Sequence, residues 1–108
     1  MSTDSKVQFL YVTIANRPAA LKLARQLVEE RLIACANVVD GATSVYWWEG
    51  EVQESQEALL FLKTSSEKTF ETIGRIKELH DYSVPCVVAL PVVDGNPDFL
   101  HWVRGQTL

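Results

Sequence analysis

The sequence predicts an α+β sandwich in the order β-α-β-β-α-β, followed by a short C-terminal helix. Segments dense in Val, Ile, Phe and Tyr alternate with segments whose apolar residues recur at three- and four-residue spacing. Two extended stretches, residues 33–48 and 52–64, follow one another across a turn containing Glu49-Gly50. The 108 residues, 47% hydrophobic and 22% charged, leave room for a single core. One domain over residues 7–108 is expected, preceded by a polar, flexible tail at 1–6.

The first strand is expected from Val7 to Ile14. Asn16, Arg17 and Pro18 then open a helix, because Asn satisfies free N–H groups and Pro is tolerated in the first turn. Ala20, Leu23, Ala24, Leu27 and Val28 form its apolar face, and it should end near Arg31 or Leu32. From Ile33 to Trp48 the chain is β-like, and Asp40-Gly41 marks either a hairpin turn or a bulge in one bent strand. Val52 to Thr64 pairs back antiparallel and ends in an apolar block, Ala58 to Leu62. Ser65 and Ser66, with Glu67 beside the helix dipole, start a second helix carrying Phe70, Ile73, Ile76 and Leu79. It must stop before Pro85. Cys86 to Val93 reads as a strand buried on both faces. Asp94-Gly95-Asn96-Pro97 is a turn, and Asp98 to Arg104 a short final helix. This order is the ferredoxin-like, split βαβ arrangement, with two helices on one face of an antiparallel sheet.

Length makes the second strand unusual. Residues 33–48, if extended, span roughly 50 Å, whereas a domain of this size is about 35 Å across. The hairpin should therefore overshoot its own domain and carry Tyr46, Trp47 and Trp48 with it. Such a ribbon is marginal alone, and its aromatics are the kind that subunit interfaces cover. Self-association is expected.

Composition narrows the function. A formal net charge of −4 lacks the basic footprint that nucleic acid requires. No apolar run reaches the length of a membrane span. The first residues lack the apolar core of a signal peptide, and Cys35 and Cys86 stand 51 positions apart without metal-type spacing. Reduced thiols and a cytoplasmic location are expected.

Ala34-Cys35-Ala36-Asn37, Gly41, Ser44-Val45-Tyr46-Trp47-Trp48-Glu49-Gly50, Lys63-Thr64, Glu78-Leu79-His80 with Tyr82 and Pro85, and Gly95-Asn96-Pro97 with Leu100 and Trp102 occur in that order. Together they resemble the CutA divalent-cation tolerance family over about residues 7–104. The resemblance implies a homotrimer closed through extended hairpins, an architecture similar to the PII signalling proteins, and a link to tolerance of copper and other divalent metals. Phe99 stands where the family often has Tyr. Proposed copper ligands in the family include a cysteine in the first strand and paired histidines ending the second helix. This chain has Val12 and Leu79 at two of those places, so only His80 of that set remains.

The candidate metal ligands are His80, at a helix end beside Asp81 and Tyr82, and Cys35, with Cys35 or Glu57 the candidates for a site shared across subunits. Structural readings stand beside both: a helix-terminating histidine that hydrogen-bonds locally, and a small buried thiol. Cys86 reads as core, His101 as solvated, and Glu29-Glu30 as solvated carboxylates. Tyr46, Trp48, Glu57, Lys63 and Tyr82 are the candidate ligand cleft, with Lys63 either meeting an anionic small molecule or pairing with Glu57. Tyr46, Trp47 and Trp48 are the candidate trimer interface. No nucleophile–base motif, phosphate loop or HExxH is present, so no enzyme activity is expected. Three functions fit: a divalent-metal response protein, a PII-like sensor of an anionic ligand, and a trimeric scaffold that anchors another protein.

Overall fold

The structure, a computed structural model, describes residues 5–108. It contains β1 (Val7–Ile14), α1 (Arg17–Glu29), β2 (Cys35–Trp48), β3 (Glu51–Ser65), α2 (Ser66–Leu79), β4 (Val87–Val92) and α3 (Pro97–Gln106). The strands form one antiparallel sheet in the order β2-β3-β1-β4, the ferredoxin-like arrangement.

Side chains alternate across the strands, and the sheet's two faces differ accordingly. Leu10, Val12 and Ile14 of β1 and Ala58, Leu60 and Leu62 of β3 pack under α1 and α2 against Ala20, Leu23, Leu27 and Ile76. Asn16 caps α1 by accepting the Ala19 N–H at 2.9 Å. Helix α1 ends two residues earlier than its apolar spacing predicts. Arg31 enters the left-handed region, and the Leu32 N–H returns to the Leu27 carbonyl at 3.0 Å, burying Leu32. In α2 the buried positions are Thr72 and Ile76, whereas Phe70 is 91% exposed. At about 100° per residue, Phe70 lies roughly 120° from Ile76, on another face.

The opposite sheet face has no full helix layer. Helix α3 covers only one end, where Leu100 and Val103 pack on Val7. The rest of that face carries Phe9, Tyr11 and Phe61, their rings 5.6 and 5.9 Å from centroid to centroid of Phe61. Beside them, Val88 and Leu90 are each 51% exposed. Strand β4 is thus an edge strand with one bare face, not the doubly buried strand that its apolar run predicts. It begins at Val87, and Cys86 before it is exposed and not core.

Asp40-Gly41 is a bulge within one strand. Val39 pairs with Leu59, but Ala42 pairs with Glu57, so two residues of β2 oppose one of β3. Gly41 takes φ +81°, where a side chain would be strained. The extra residue reverses the parity of β2. Before it, Cys35, Asn37 and Val39 share a face with Lys63, Phe61 and Leu59; beyond it, Ser44, Tyr46 and Trp48 share that face with Ser55, Gln53 and Glu51. The hairpin closes at Glu49-Gly50, with φ of 50° and 80°, the two positive values of a type I′ turn. Its reach makes the molecule 46 Å long against 30 and 23 Å across. Trp47, near the tip, is 74% exposed.

Of the polar tail expected at 1–6, residues 1–4 lie outside the described residues. Ser5 and Lys6 are tied to the domain. The Ser5 hydroxyl donates to the Val92 carbonyl, and Arg104 donates to the Ser5 carbonyl at 2.8 Å. The Lys6 carbonyl accepts from the Ser66 N–H at 2.8 Å.

Candidate functional site

Where the hairpin leaves the body of the sheet, it forms a cleft of about 540 Å³ with the loop that joins α2 to β4. The sheet supplies Thr13, Tyr46, Trp48 and Glu57, and the loop supplies Tyr82 and Cys86. Glu57 faces the cleft because it has the open-face parity of Leu59 and Phe61, and it is only 7% exposed. Tyr46 and Trp48 face it because they pair with Gln53 and Glu51, which share the parity of Glu57; the Tyr46 hydroxyl lies 3.2 Å from Ser55 Oγ across the ribbon.

A hydrogen-bonded chain fixes the loop side. His80, the residue that ends α2, is buried. Its Nδ1 accepts the Tyr82 N–H at 3.1 Å, which leaves Nε2 to carry the proton and donate to the Thr13 carbonyl at 2.8 Å. The two rings meet edge-on, 4.6 Å apart. The Tyr82 hydroxyl then donates to Glu57 Oε2 at 2.8 Å. Burial, and then the hydrogen bond and negative charge of Glu57, push the Tyr82 phenol up to about 12. The phenol therefore remains a donor across the physiological range.

The structure brings together Tyr46, Trp48, Glu57 and Tyr82 of the five expected cleft residues, while Lys63 does not line this cleft. Lys63 shares the parity of Glu57 but stands six residues along an extended strand, about 20 Å away. Its ammonium donates to Asn37 Oδ1 and does not pair with Glu57. Cys35 lies opposite Lys63, half-buried; burial pushes its thiol up while the Lys63 charge pulls it down. His101 is exposed on α3, as its position predicts.

A metal ion needs several imidazole, thiolate or carboxylate groups within about 2–2.6 Å. Both His80 nitrogens are already hydrogen-bonded, and Cys35 sits far from the imidazole at the other end of the β2–β3 body. Among the described residues, no three His, Cys, Asp or Glu side chains converge to hold an ion. Within one copy, the described residues do not fit a tight copper centre.

Two features escaped the sequence reading. Cys86 lines the cleft, and the open face of Phe9, Tyr11, Phe61, Val88 and Leu90 is a second apolar surface besides the aromatic tip. The second had a signal. Strands β1 and β3 are apolar at both parities, Phe9 beside Leu10 and Phe61 beside Leu60 and Leu62, although two helices cover only one face.

The sequence matches the family model of the CutA1 divalent ion tolerance protein over residues 8–106. The divalent-cation tolerance protein CutA of Thermus thermophilus is 45% identical over 100 residues, covering 93% of this chain and 97% of its own length. A chloroplastic CutA of Oryza sativa is 43% identical over 98 residues, which make up 91% of this chain and 55% of that protein. A solved divalent cation tolerance protein from Thermus thermophilus superposes with a TM-score of 0.91 at 44% identity, over 94% of this chain and 98% of that one. The crystal structure of CutA1 from Oryza sativa gives a TM-score of 0.93 at 41% identity, over 99% and 98% of the two chains. Fold, aromatic hairpin and near-complete coverage agree: the chain belongs to the CutA1 divalent ion tolerance family.

Proposed function

We propose that this chain serves divalent-cation tolerance as a homotrimeric, non-enzymatic binding protein with its ligand site in the cleft under the hairpin. The observation that carries the assembly is the bare sheet face. An antiparallel sheet with one face in water ordinarily alternates apolar and polar residues, yet this face presents Phe9, Tyr11, Phe61, Val88 and Leu90. A second copy offers the same chemistry, and the exposed Trp47 and Trp48 extend the surface along the ribbon. The names of the relatives supply the cation response. Because one copy does not fit a copper centre, we place any bound copper or other divalent ion between copies, with Cys35 among its ligands and His80 structural. The unpaired thiols Cys35 and Cys86 support a reducing, cytoplasmic setting.

The PII-like alternative, an anion sensed in the cleft through Lys63, loses support because Lys63 lies outside the lining and Glu57 within it. Sedimentation equilibrium tests the assembly: a species of three times the 12.1 kDa chain is expected, and a monomer at micromolar concentration rejects it. Copper titration of wild type against Cys35→Ser tests the shared site, and equal affinities remove Cys35 from it.

A further inference from the structure

The cleft's charge and surface name a ligand class. Among its lining residues, Glu57 is the one carboxylate, and no Lys, Arg or His is among them. This carboxylate is 93% buried, with one oxygen held by the Tyr82 hydroxyl. A buried carboxylate without a cation is costly, and a positive ligand removes that cost. The surroundings reinforce the sign. Residues 35–62 hold five carboxylates, Asp40, Glu49, Glu51, Glu54 and Glu57, and no basic residue, so the ribbon's field draws cations toward its base.

The kind of cation follows from the remaining lining. Tyr46, Trp48 and Tyr82 present aromatic rings, and the π-face of such rings attracts an alkylammonium or guanidinium group. A hard divalent ion wants six or more oxygen ligands, and a soft one several imidazole or thiolate groups; one carboxylate and the single thiol of Cys86 among aromatic rings satisfy neither. The volume of about 540 Å³ lies within the range of small-molecule sites, far larger than a bare ion needs.

We propose that this cleft recognises an organic ammonium ion, with Glu57 as its counter-charge and Tyr46, Trp48 and Tyr82 as its aromatic walls. The proposal rests on the cleft being the ligand site of the assembled protein. It makes the site selective for organic cations over both anions and bare metal ions.

The test is calorimetric titration of the full chain with n-butylammonium and tetramethylammonium at constant ionic strength. Sodium, phosphate and manganese(II) are titrated in parallel, and sedimentation is run on the same samples. Millimolar or tighter binding of at least one ammonium ion is expected. Glu57→Gln keeps an acceptor for the Tyr82 hydroxyl and should weaken that binding at least tenfold. Trp48→Leu should also weaken it, and Lys63→Ala should leave it unchanged. A trimer that binds neither ammonium ion at 50 mM overturns this proposal and leaves the assembly standing. A monomer that binds ammonium does the reverse. Phosphate or manganese binding that displaces ammonium and survives in Glu57→Gln also overturns it, as does ammonium binding indifferent to Glu57→Gln.

Discussion

Replacing His80 by Ala separates a structural histidine from a metal-binding one. The imidazole occupies a buried position between two backbone groups, 2.8 Å from the Thr13 carbonyl and 3.1 Å from the Tyr82 nitrogen. Removing it deprives the buried Thr13 carbonyl of this partner, at a cost of about 1–3 kcal/mol. The half-buried Tyr82 N–H is reached more easily by water, so its loss adds about 0.5–1 kcal/mol. The edge-on contact with the Tyr82 ring at 4.6 Å adds a further ~0.5 kcal/mol. The sum is roughly 2–4 kcal/mol, which at about 4 °C per kcal/mol lowers the thermal midpoint by 8–16 °C. Melting followed by circular dichroism must be run at one protein concentration, because the midpoint of any self-associating chain depends on concentration. His101→Ala, an exposed histidine on α3, is the control and should shift little. Copper titration of the same proteins should give equal affinities for wild type and His80→Ala. A midpoint within 2 °C of wild type, together with a tenfold loss of copper affinity, would refute the reasoning and put the imidazole in a metal site.

Three other perturbations follow from the same geometry. The Tyr82 phenol is held at about 12 against an ordinary 10.0, so the folded chain keeps this proton more tightly than the unfolded one. Its contribution is complete below pH 10 and is lost as pH rises toward 12; Tyr82→Phe should flatten the melting midpoint over that window, and parallel curves would contradict this. Leu90→Lys places a charge on the bare face of β4 and should shift sedimentation toward the 12.1 kDa monomer, while an unchanged mass would move the interface elsewhere. Glu49 holds φ +50° in the hairpin turn, so Glu49→Asn should raise stability by about 0.5–1 kcal/mol in urea unfolding, and a loss would mean that the Glu side chain holds the tip.

Strand and helix order was legible because period-2 and helical spacing alternate without ambiguity, and Asn16-Arg17-Pro18 and Glu49-Gly50 carry their own backbone chemistry. Burial was less legible. The apolar run of β4 predicts cover on both faces, and a single chain supplies it on one, because a run that is apolar at both parities does not say which chain supplies the cover. Phe70 fits a three-residue spacing with Ile73 and Ile76, but repeated steps of three drift round the helix, away from the Thr72–Ile76 stripe. For the cleft, Tyr46, Trp48, Glu57 and Tyr82 line one cavity of the single chain, and Lys63 lies outside it. Shared parity puts residues on one face, but only distance along the strand decides whether they meet. The His80–Tyr82–Glu57 chain depends on the path of a loop, for which no periodic signal exists.

The bulge at Asp40-Gly41 lets the ribbon change length without changing which side chains line the cleft. Substitutions among Tyr46, Trp48 and Glu57 alter the pocket by degrees. Deleting one residue at 40 or 41 would close the ladder into a regular one, with Val39 still opposite Leu59 and Ala42 still opposite Glu57, so Tyr46 and Trp48 would keep their face. Lineages descended from this sequence are therefore free to lose a residue at the bulge, but are held to the pairing that starts at the hairpin turn, which decides which aromatics line the cleft.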